Sequence, residues 1–424
     1  MNKIQTWIAK GIWSLFGQYR GMRREIYVLF WGRVATNMGA MIWPMLTLIL
    51  SNKIGLSPSE IASVTIFMGV LQFPVNLLGG KLADRCNKKW LIIICDLVTV
   101  SCYLTAAALS VSWEQILLFY LAGLFQTVEN PSYDALIADL STAENREKAY
   151  SLLYLGLNLG LILAPSVGGI LFENHLNLAF VIDGLTTLSS TILIFFFVKD
   201  ITPDNRGKSN IYEAPRESHS TMGVLFQKKV ILLFFGCWAV YSFVYAQFNF
   251  LIPLNLESLY SARGAMYFGF LTSLNGFVVI IGTPLLTRIC RKISDIQKLF
   301  LGELLVGLSL SMYIFIQGML PLYYVSMVLF TIGEILSTLG CYPYITRRIP
   351  STHRGRISSV LNIFQGGASY FSQWYVGGLL ETSTMRNVWI VIAWIAGAGL
   401  LCYLVLMNRD KRSFPLFYQE EKME

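Results

Sequence analysis

Charge is what this sequence has least of. Asp, Glu, Lys and Arg together make 14% of its 424 residues, against roughly 25% in ordinary proteins. A soluble globular enzyme or a disordered chain needs far more polar surface, so both classes are excluded. Histidine is almost missing. His175, His219 and His353 stand apart from one another and outside the apolar runs, which leaves no metal constellation. Cysteine is sparse and scattered: Cys86, Cys95, Cys102, Cys237, Cys290, Cys341 and Cys402 are odd in number and lack CxxC spacing. They read as small buried hydrophobes, not as disulfides or metal ligands. No paired His/Asp or Ser/His set lies near a water-accessible face, which argues against an enzyme. Arg206-Gly207-Lys208-Ser209 ends like a phosphate-binding loop, but Thr202 stands where the first glycine belongs, so ATP drive is not expected. The net charge of +8 would suit a nucleic acid. In so apolar a chain, however, basic residues are those of a membrane protein's cytoplasmic side.

What the chain has instead is apolar length. Hydrophobic residues make 54% of it, and they fall into twelve runs long enough to cross a bilayer. The first half holds 26–50, 59–80, 89–110, 113–138, 149–171 and 178–198; the second holds 230–252, 264–286, 297–318, 321–345, 357–380 and 387–408. Lipid offers the backbone no hydrogen-bond partner, so each run is a helix or a strand of a closed barrel. Barrel strands alternate with period two; the run from Asn177 to Asp200 does not. The expected fold is therefore an all-α membrane protein of twelve transmembrane helices. With the N-terminus inside, 29 of the 33 Lys and Arg residues lie in inside segments, and only Lys53, Arg263 and Arg386 lie outside. Arg33 falls within the first run. This asymmetry places both termini in the cytoplasm. Ile4, Trp7, Ile8, Ile12, Leu15 and Phe16 recur at helical spacing among basic residues, which predicts an interfacial amphipathic segment over residues 1–25 rather than a cleaved signal peptide.

The two halves echo each other. Leu82, Arg85, Lys88 and Lys89 match Leu285, Arg288, Arg291 and Lys292 at an offset of 203. Gly168-Gly169 matches Gly377-Gly378 at 209. A polar stretch over 199–229 separates them and has the composition of a linker. The expected organisation is two pseudo-symmetric six-helix bundles, 26–198 and 230–408, with a cytoplasmic tail over 409–424. Parallel repeats of this kind are one architecture of secondary transporters.

Two motifs carry a family resemblance. Gly80-Lys81-Leu82-Ala83-Asp84-Arg85-Cys86-Asn87-Lys88-Lys89 joins the second and third runs. In position, length and charge order it resembles the G-x-L-A-D-R-x-G-R-K/R loop of the major facilitator superfamily. Gly80 would permit close helix approach. Asn87 replaces the usual glycine and would be the next best residue at positive φ. In the fifth run, Gly156, Gly160, Ala164, Pro165, Gly168 and Gly169 resemble the G-x-x-x-G-P-x-x-G-G motif of that superfamily's drug/proton antiporters. Ala164 stands where glycine is usual. Small residues at this spacing let backbones approach, and Pro165 would kink the helix. Asp139 with Glu144, Asn145 and Arg146, the pair Gly333-Glu334, and Arg354-Gly355-Arg356 are also similar to the multidrug branch. The resemblance implies that Glu334 takes part in cation recognition or protonation. Where some members carry further carboxylates, this chain has Leu153 and Asn249.

Ionisable side chains in a bilayer are functional candidates because each costs about 2.5–3.5 kcal/mol at the centre on insertion scales. Arg33, Asp96, Glu129, Asp134, Asp139, Asp183, Glu303 and Glu334 form the set. Seven carboxyls against one arginine cannot all be paired, so some are expected to be neutral. Glu334, Glu129, Asp96 and Asp139 are the candidates for proton coupling or substrate binding. Gly80, Asp84, Arg85, Lys88 and Lys89 are the candidates for stabilising one conformational state. Glu129 adjoins an expected break at Asn130-Pro131. Trp43, Phe73, Tyr120, Tyr241, Tyr245, Phe248, Phe250 and Trp374 could line an apolar cavity, with Gln126, Asn249 and Gln365 as polar candidates. The expected function is proton-coupled export of hydrophobic or cationic small molecules by alternating access. The proton motive force would be the energy source, with no cofactor, and the protein would act as a monomer in the cell membrane. A transporter of a narrow metabolite (siderophore, sugar or amino acid) and a non-transporting sensor are the alternatives.

Overall fold

The computed structural model describes residues 19–141, 146–199, 229–348 and 354–415. The amphipathic segment, most of the linker, Glu144, Asn145, His219, His353 and the last residues of the tail lie outside the described residues, as do the side chains of Asp84, Arg146, Arg354 and Arg356.

All regular secondary structure among the described residues is helical. The first half contains α1 (Arg24–Gly39), α2 (Ile42–Leu48), a π-helical turn (Ile49–Lys53), α3 (Pro58–Arg85), α4 (Lys88–Ala108), α5 (Trp113–Leu140), α6 (Arg146–Leu161), α7 (Ala164–Leu171) and α8 (Leu176–Phe197). The second contains α9 (Lys229–Tyr245), α10 (Leu251–Tyr260), α11 (Gly264–Ile289), α12 (Asp295–Ser311), α13 (Leu320–Arg348), α14 (Arg354–Thr382) and α15 (Met385–Ser413). Taking α1 with α2, α6 with α7 and α9 with α10 gives twelve membrane-crossing rods. Ten are long and apolar enough to span a membrane by composition alone. The other two are α5, with four carboxylates, and α14, rich in Ser, Gln and Gly.

Helix ends follow local chemistry. Ser57 and Glu60 cap α3 reciprocally, with the Ser57 amide donating to Glu60 Oε2 at 2.8 Å and Pro58 at the first helical position. Ser294 and Gln297 form the same box on α12. Gly55, at φ +84°, closes the π-helical turn, and its amide bonds to the Ser51 carbonyl. Asn87 departs from expectation. It has φ −67°, and its side chain accepts from the amides of Lys89 and Trp90, so it caps α4 instead of adopting positive φ.

The chain divides into two compact units, one of Met1–Met45 with Phe67–Asn205, the other of Leu46–Ile66 with Arg206–Glu424. In unit 1, α1 packs on α6 and α8, and α4 on α5 and α8. Their shared core includes Ile26, Phe30, Ile92, Tyr133, Ile137, Leu152 and Ile194. In unit 2, α12 is held between α13 and α15. The backbones of α12 and α13 nearly touch at Gly302 and Gly333: a Cβ on Gly333 would lie 2.8 Å from the Gly302 carbonyl oxygen. The Leu46–Ile66 segment joins unit 2 through polar ties. Thr47 donates to the Asn249 carbonyl at 2.8 Å and Ser51 to Glu257 at 3.2 Å. Ser59 donates to Glu381, whose carboxyl is held below the usual carboxylate range by the hydroxyls of Ser59 and Ser57.

The last helix continues past the expected end at 408, because Asp410 has a partner. Arg348 donates to Asp410 through Nε at 2.8 Å and Nη2 at 2.6 Å, and Tyr344 adds its hydroxyl at 3.0 Å. The two side chains are 5% and 0% exposed. Breaking such a pair strands a buried charge at a cost of about 3–5 kcal/mol, whereas apolar replacement of both partners is often neutral. Asp410→Asn is expected to lower the melting temperature of the detergent-purified protein clearly. Arg348→Met combined with Asp410→Leu is expected to recover most of that loss. A melting temperature unchanged in the single variant would contradict this.

Candidate functional site

In unit 1, α4 turns Ile92, Asp96, Thr99 and Tyr103 to one buried face. Asp96 accepts a hydrogen bond from Thr191 of α8 at 2.9 Å. Its carboxyl neighbours Glu129 of α5, whose Oε2 is buried without a hydrogen-bond partner among the described residues. Two ionised carboxylates are both acceptors only, so a bond between them requires one shared proton. Arg33 of α1 turns inward rather than toward the headgroups. It donates to Asn130 at 3.2 Å and stacks on Tyr133, with Cζ 3.7 Å from the ring centre. The expected break at Asn130-Pro131 is absent: α5 runs unbroken through Pro131. Asp183 is buried on α8, behind Gly39, while Asp134 is exposed.

In unit 2, Glu334 of α13 is half-buried and fully bonded. Tyr245 donates to Oε1 at 2.8 Å and Asn275 to Oε2 at 2.7 Å. Asn275 also donates to Thr331 at 3.0 Å, which fixes the amide. Aromatic rings surround the carboxyl. Trp238 stacks on Tyr241 at 4.8 Å, Tyr241 on Tyr245 at 5.8 Å, and Tyr245 on Phe330 at 5.2 Å. Phe248 completes the wall against Phe330. Trp238 donates its indole N–H to Gln365 at 3.2 Å. Among the described residues, no Lys or Arg forms an ion pair with Glu334.

The other sequence candidates are scattered by comparison. Asp139 lies at the end of α5, paired with Lys88 at 3.0 Å and 38% exposed. Lys89 is buried, 5.7 Å from the centre of the Phe195 ring. Arg85 is exposed. A Cβ on Gly80 would meet open space, so that glycine is not the one that lets helices approach. Its neighbour Gly79 is, backing onto Val128 with 2.6 Å to the carbonyl oxygen. In the fifth rod the glycines do face backbone. A Cβ at Gly156 would sit 3.1 Å from the Phe30 carbonyl, at Gly160 2.8 Å from that of Val34, and at Gly168 2.9 Å from that of Met41. Gly169 is buried beside them. Pro165 opens α7 after the break at Leu161. Of the aromatic candidates, Phe250 and Tyr120 are buried, whereas Trp43, Phe73 and Trp374 are exposed.

The fold is that of known transporters. The chain superposes on a POT family transporter in complex with a thioalcohol-conjugated peptide with a TM-score of 0.76, at 13% identity, covering 92% of this chain and 97% of the other. The nucleoside transporter NupG gives 0.71 at 11% identity, covering 91% and 100%. The family profile described as Major Facilitator Superfamily matches residues 29–373. The chain belongs to the major facilitator superfamily. As a member, it is a multi-pass membrane protein and a secondary transporter, not an enzyme. Its relatives are distant. A protein of Planococcus maritimus named Na(+), Li(+), K(+)/H(+) antiporter is 22% identical over 347 residues, 74% of this chain and 80% of that one. YttB of Bacillus subtilis, an uncharacterized transporter of the same superfamily, is 22% identical over 370 residues, 86% and 90%. The quinolone resistance protein NorA of Staphylococcus aureus is 25% identical over 181 residues, 42% and 46%.

Sequence reading missed three members of this superfamily protein's Glu334 cluster: Trp238, Asn275 and Phe330. Trp238 was within reach, because Trp238, Tyr241, Tyr245 and Phe248 recur at spacings of a single helix face. Asn275 is a lone amide in an apolar run, and nothing local ties it to a carboxyl 59 positions away.

The proximity of Asp96 and Glu129 can be tested for a shared proton. Glu129→Gln offers Asp96 an amide N–H in place of that proton, so its melting temperature should stay near wild type. Glu129→Ala leaves Asp96 without the donor and should cost about 1–3 kcal/mol. Equal loss in both variants would show that the two carboxyls do not share a proton.

Proposed function

We propose that this protein exports hydrophobic or cationic small molecules from the cytoplasm in exchange for protons, by alternating access, with Glu334 as the residue that couples the two. One observation carries the reading: the Glu334 carboxyl has two neutral donors, no cationic partner among the described residues, and a wall of stacked aromatic rings. Neutral donors let it hold a negative charge, and that charge would attract a proton or a positively charged substrate. Aromatic faces attract cations by about 0.5–2 kcal/mol each and offer apolar contact besides. Proton and cationic substrate then compete for one carboxyl, and that competition is the minimum device for exchange. The membrane potential adds about 2.3 kcal/mol per charge per 100 mV, which sustains a gradient of more than tenfold per proton. The partial likeness to NorA supports a drug-like substrate. The basic asymmetry of the sequence supports an orientation with both termini cytoplasmic.

In everted vesicles, Glu334→Gln should abolish ethidium transport driven by a pH gradient while leaving the protein folded. Unchanged gradient-driven transport would reject the role of Glu334. The name of the Planococcus relative favours a second reading, in which a monovalent metal cation replaces the drug. A sodium gradient that collapses the pH gradient in the same vesicles, with ethidium inert, would select it. Reporter fusions at the two ends, active only when cytoplasmic, should both be active. An active N-terminal and inactive C-terminal fusion would overturn the orientation.

A further inference from the structure

Four helices of unit 1 meet in one buried layer. α4 and α8 run antiparallel, with Asp96 bonded to Thr191 and Tyr103 packed opposite Gly184. α8 meets α1 at Ser190, whose Oγ would lie 2.8 Å from a Cβ on Gly32. The next residue of α1, Arg33, donates to Asn130 of α5 at 3.2 Å. α5 closes the ring on α4: Thr99 donates to the Ala122 carbonyl at 3.4 Å and Gln115 to the Ala106 carbonyl at 2.9 Å. That antiparallel register sets Glu129 one turn beyond the level of Asp96. Helical side chains lean toward their own N-terminus, so the two carboxyls lean toward each other.

The layer is rich in oxygen and short of positive charge. Asp96 and Glu129 are 2% and 3% exposed. Glu129 Oε2 and Ser190 Oγ are buried with no hydrogen-bond partner among the described residues. The same holds for Ser132 Oγ, one turn along α5, and for Thr187 Oγ1, one turn before Thr191 on α8. Against the two carboxyls stands one guanidinium, Arg33, which stacks on Tyr133. Two ionised carboxyls and one arginine leave one negative charge, and an uncompensated buried charge costs several kcal/mol. One unit of positive charge removes it. A proton does so, but it serves one pair of oxygens and leaves the hydroxyls unused. A hard cation takes carboxylate and hydroxyl oxygens together. With charge +1 it makes the layer neutral, whereas a divalent ion overshoots.

We propose that this layer of unit 1 binds a monovalent alkali cation between the carboxyls of Asp96 and Glu129 and the hydroxyl of Ser190. Uptake of the ion releases the one proton that the carboxyl pair otherwise holds, so charge balances across the exchange. The other titratable and charged groups around the pair are Arg33 of α1, Cys95 and Tyr103 of α4, Tyr133 and Asp134 of α5 and, beside Tyr103, Asp183 of α8. Only Arg33 among them is cationic. Asp134 is exposed and adds to the negative side. The site belongs to unit 1 and does not rest on the role of Glu334 in unit 2.

The test is equilibrium binding of radioactive sodium to the purified full-length protein in lipid nanodiscs, with ionic strength held by choline chloride and no organic substrate present. Saturable binding is expected at alkaline pH, with protons released into weak buffer, and it should weaken as the pH falls. Glu129→Gln leaves the layer neutral without an added ion and should weaken binding by about tenfold or more, as should Asp96→Asn. Ser190→Ala removes one oxygen and no charge; it should weaken binding about threefold at an unchanged melting temperature. No saturable binding of sodium, with lithium and potassium equally inert, would mean that water or a proton alone satisfies these oxygens, and would overturn the proposal. Wild-type affinity in Glu129→Gln, or sodium binding without proton release, would overturn it as well. Should both charge variants fail to fold, wild-type affinity in Ser190→Ala counts against the site. Sodium binding lost in Glu334→Gln but kept in Glu129→Gln would move the ion to unit 2 and reject the assignment. Failure of the Glu334 reading looks different: pH-driven ethidium transport survives Glu334→Gln, while sodium binding still depends on Glu129.

Discussion

A carboxyl inside a lipid-embedded helix bundle keeps its charge only if something donates to it. This single constraint orders the acidic groups of both units. Asp410 is charged and buried because Arg348 and Tyr344 supply donors on both its oxygens. Glu334 has a hydroxyl and an amide, enough to tolerate either protonation state. Asp96 has the Thr191 hydroxyl, and its neighbour Glu129 has one oxygen without a partner among the described residues. Glu303 has no donor among the described residues. The series runs from a carboxyl with an arginine partner, through one with two neutral donors, to one with no donor among the described residues.

The frame itself depends on small residues. Gly156, Gly160 and Gly168 bring the fifth rod against the carbonyls of the first, and Gly302 and Gly333 do the same for α12 and α13. Close backbone contact fixes how far around each helix a polar side chain is turned. In α13 this sets Glu334 toward Asn275 and Tyr245 while the opposite face meets α12. Without that fixed rotation, donors on separate helices would not converge on one carboxyl.

Much of the fold was legible because lipid removes alternatives. Apolar runs of this length without strand alternation admit only helices. Rotation about each helix axis was not legible. Gly79 and Gly80 are adjacent and chemically identical, yet only Gly79 faces α5. Asn87 illustrates a second limit: the same residue suits positive φ and an N-cap, and the following Lys88-Lys89-Trp90 helix decides for the cap. Charges near the helix ends read as topogenic, which conceals that Arg348 and Asp410, 62 positions apart, form a buried pair. At the candidate site, Glu334 and its tyrosines could be named from a resemblance and a helical stripe. Asn275 and the isolation of Glu303 arise from contacts between distant helices, which sequence spacing does not encode.

The central claim is that protons and a small organic cation move in opposite directions through one protein. The direct measurement is purified protein in liposomes, with the membrane potential clamped and an imposed pH gradient, recording ethidium and internal pH together. The account predicts that ethidium moves against its own gradient while protons flow the other way, and that an ethidium gradient alone drives protons. Ethidium crossing with no proton movement, or proton movement that ignores ethidium, would contradict it.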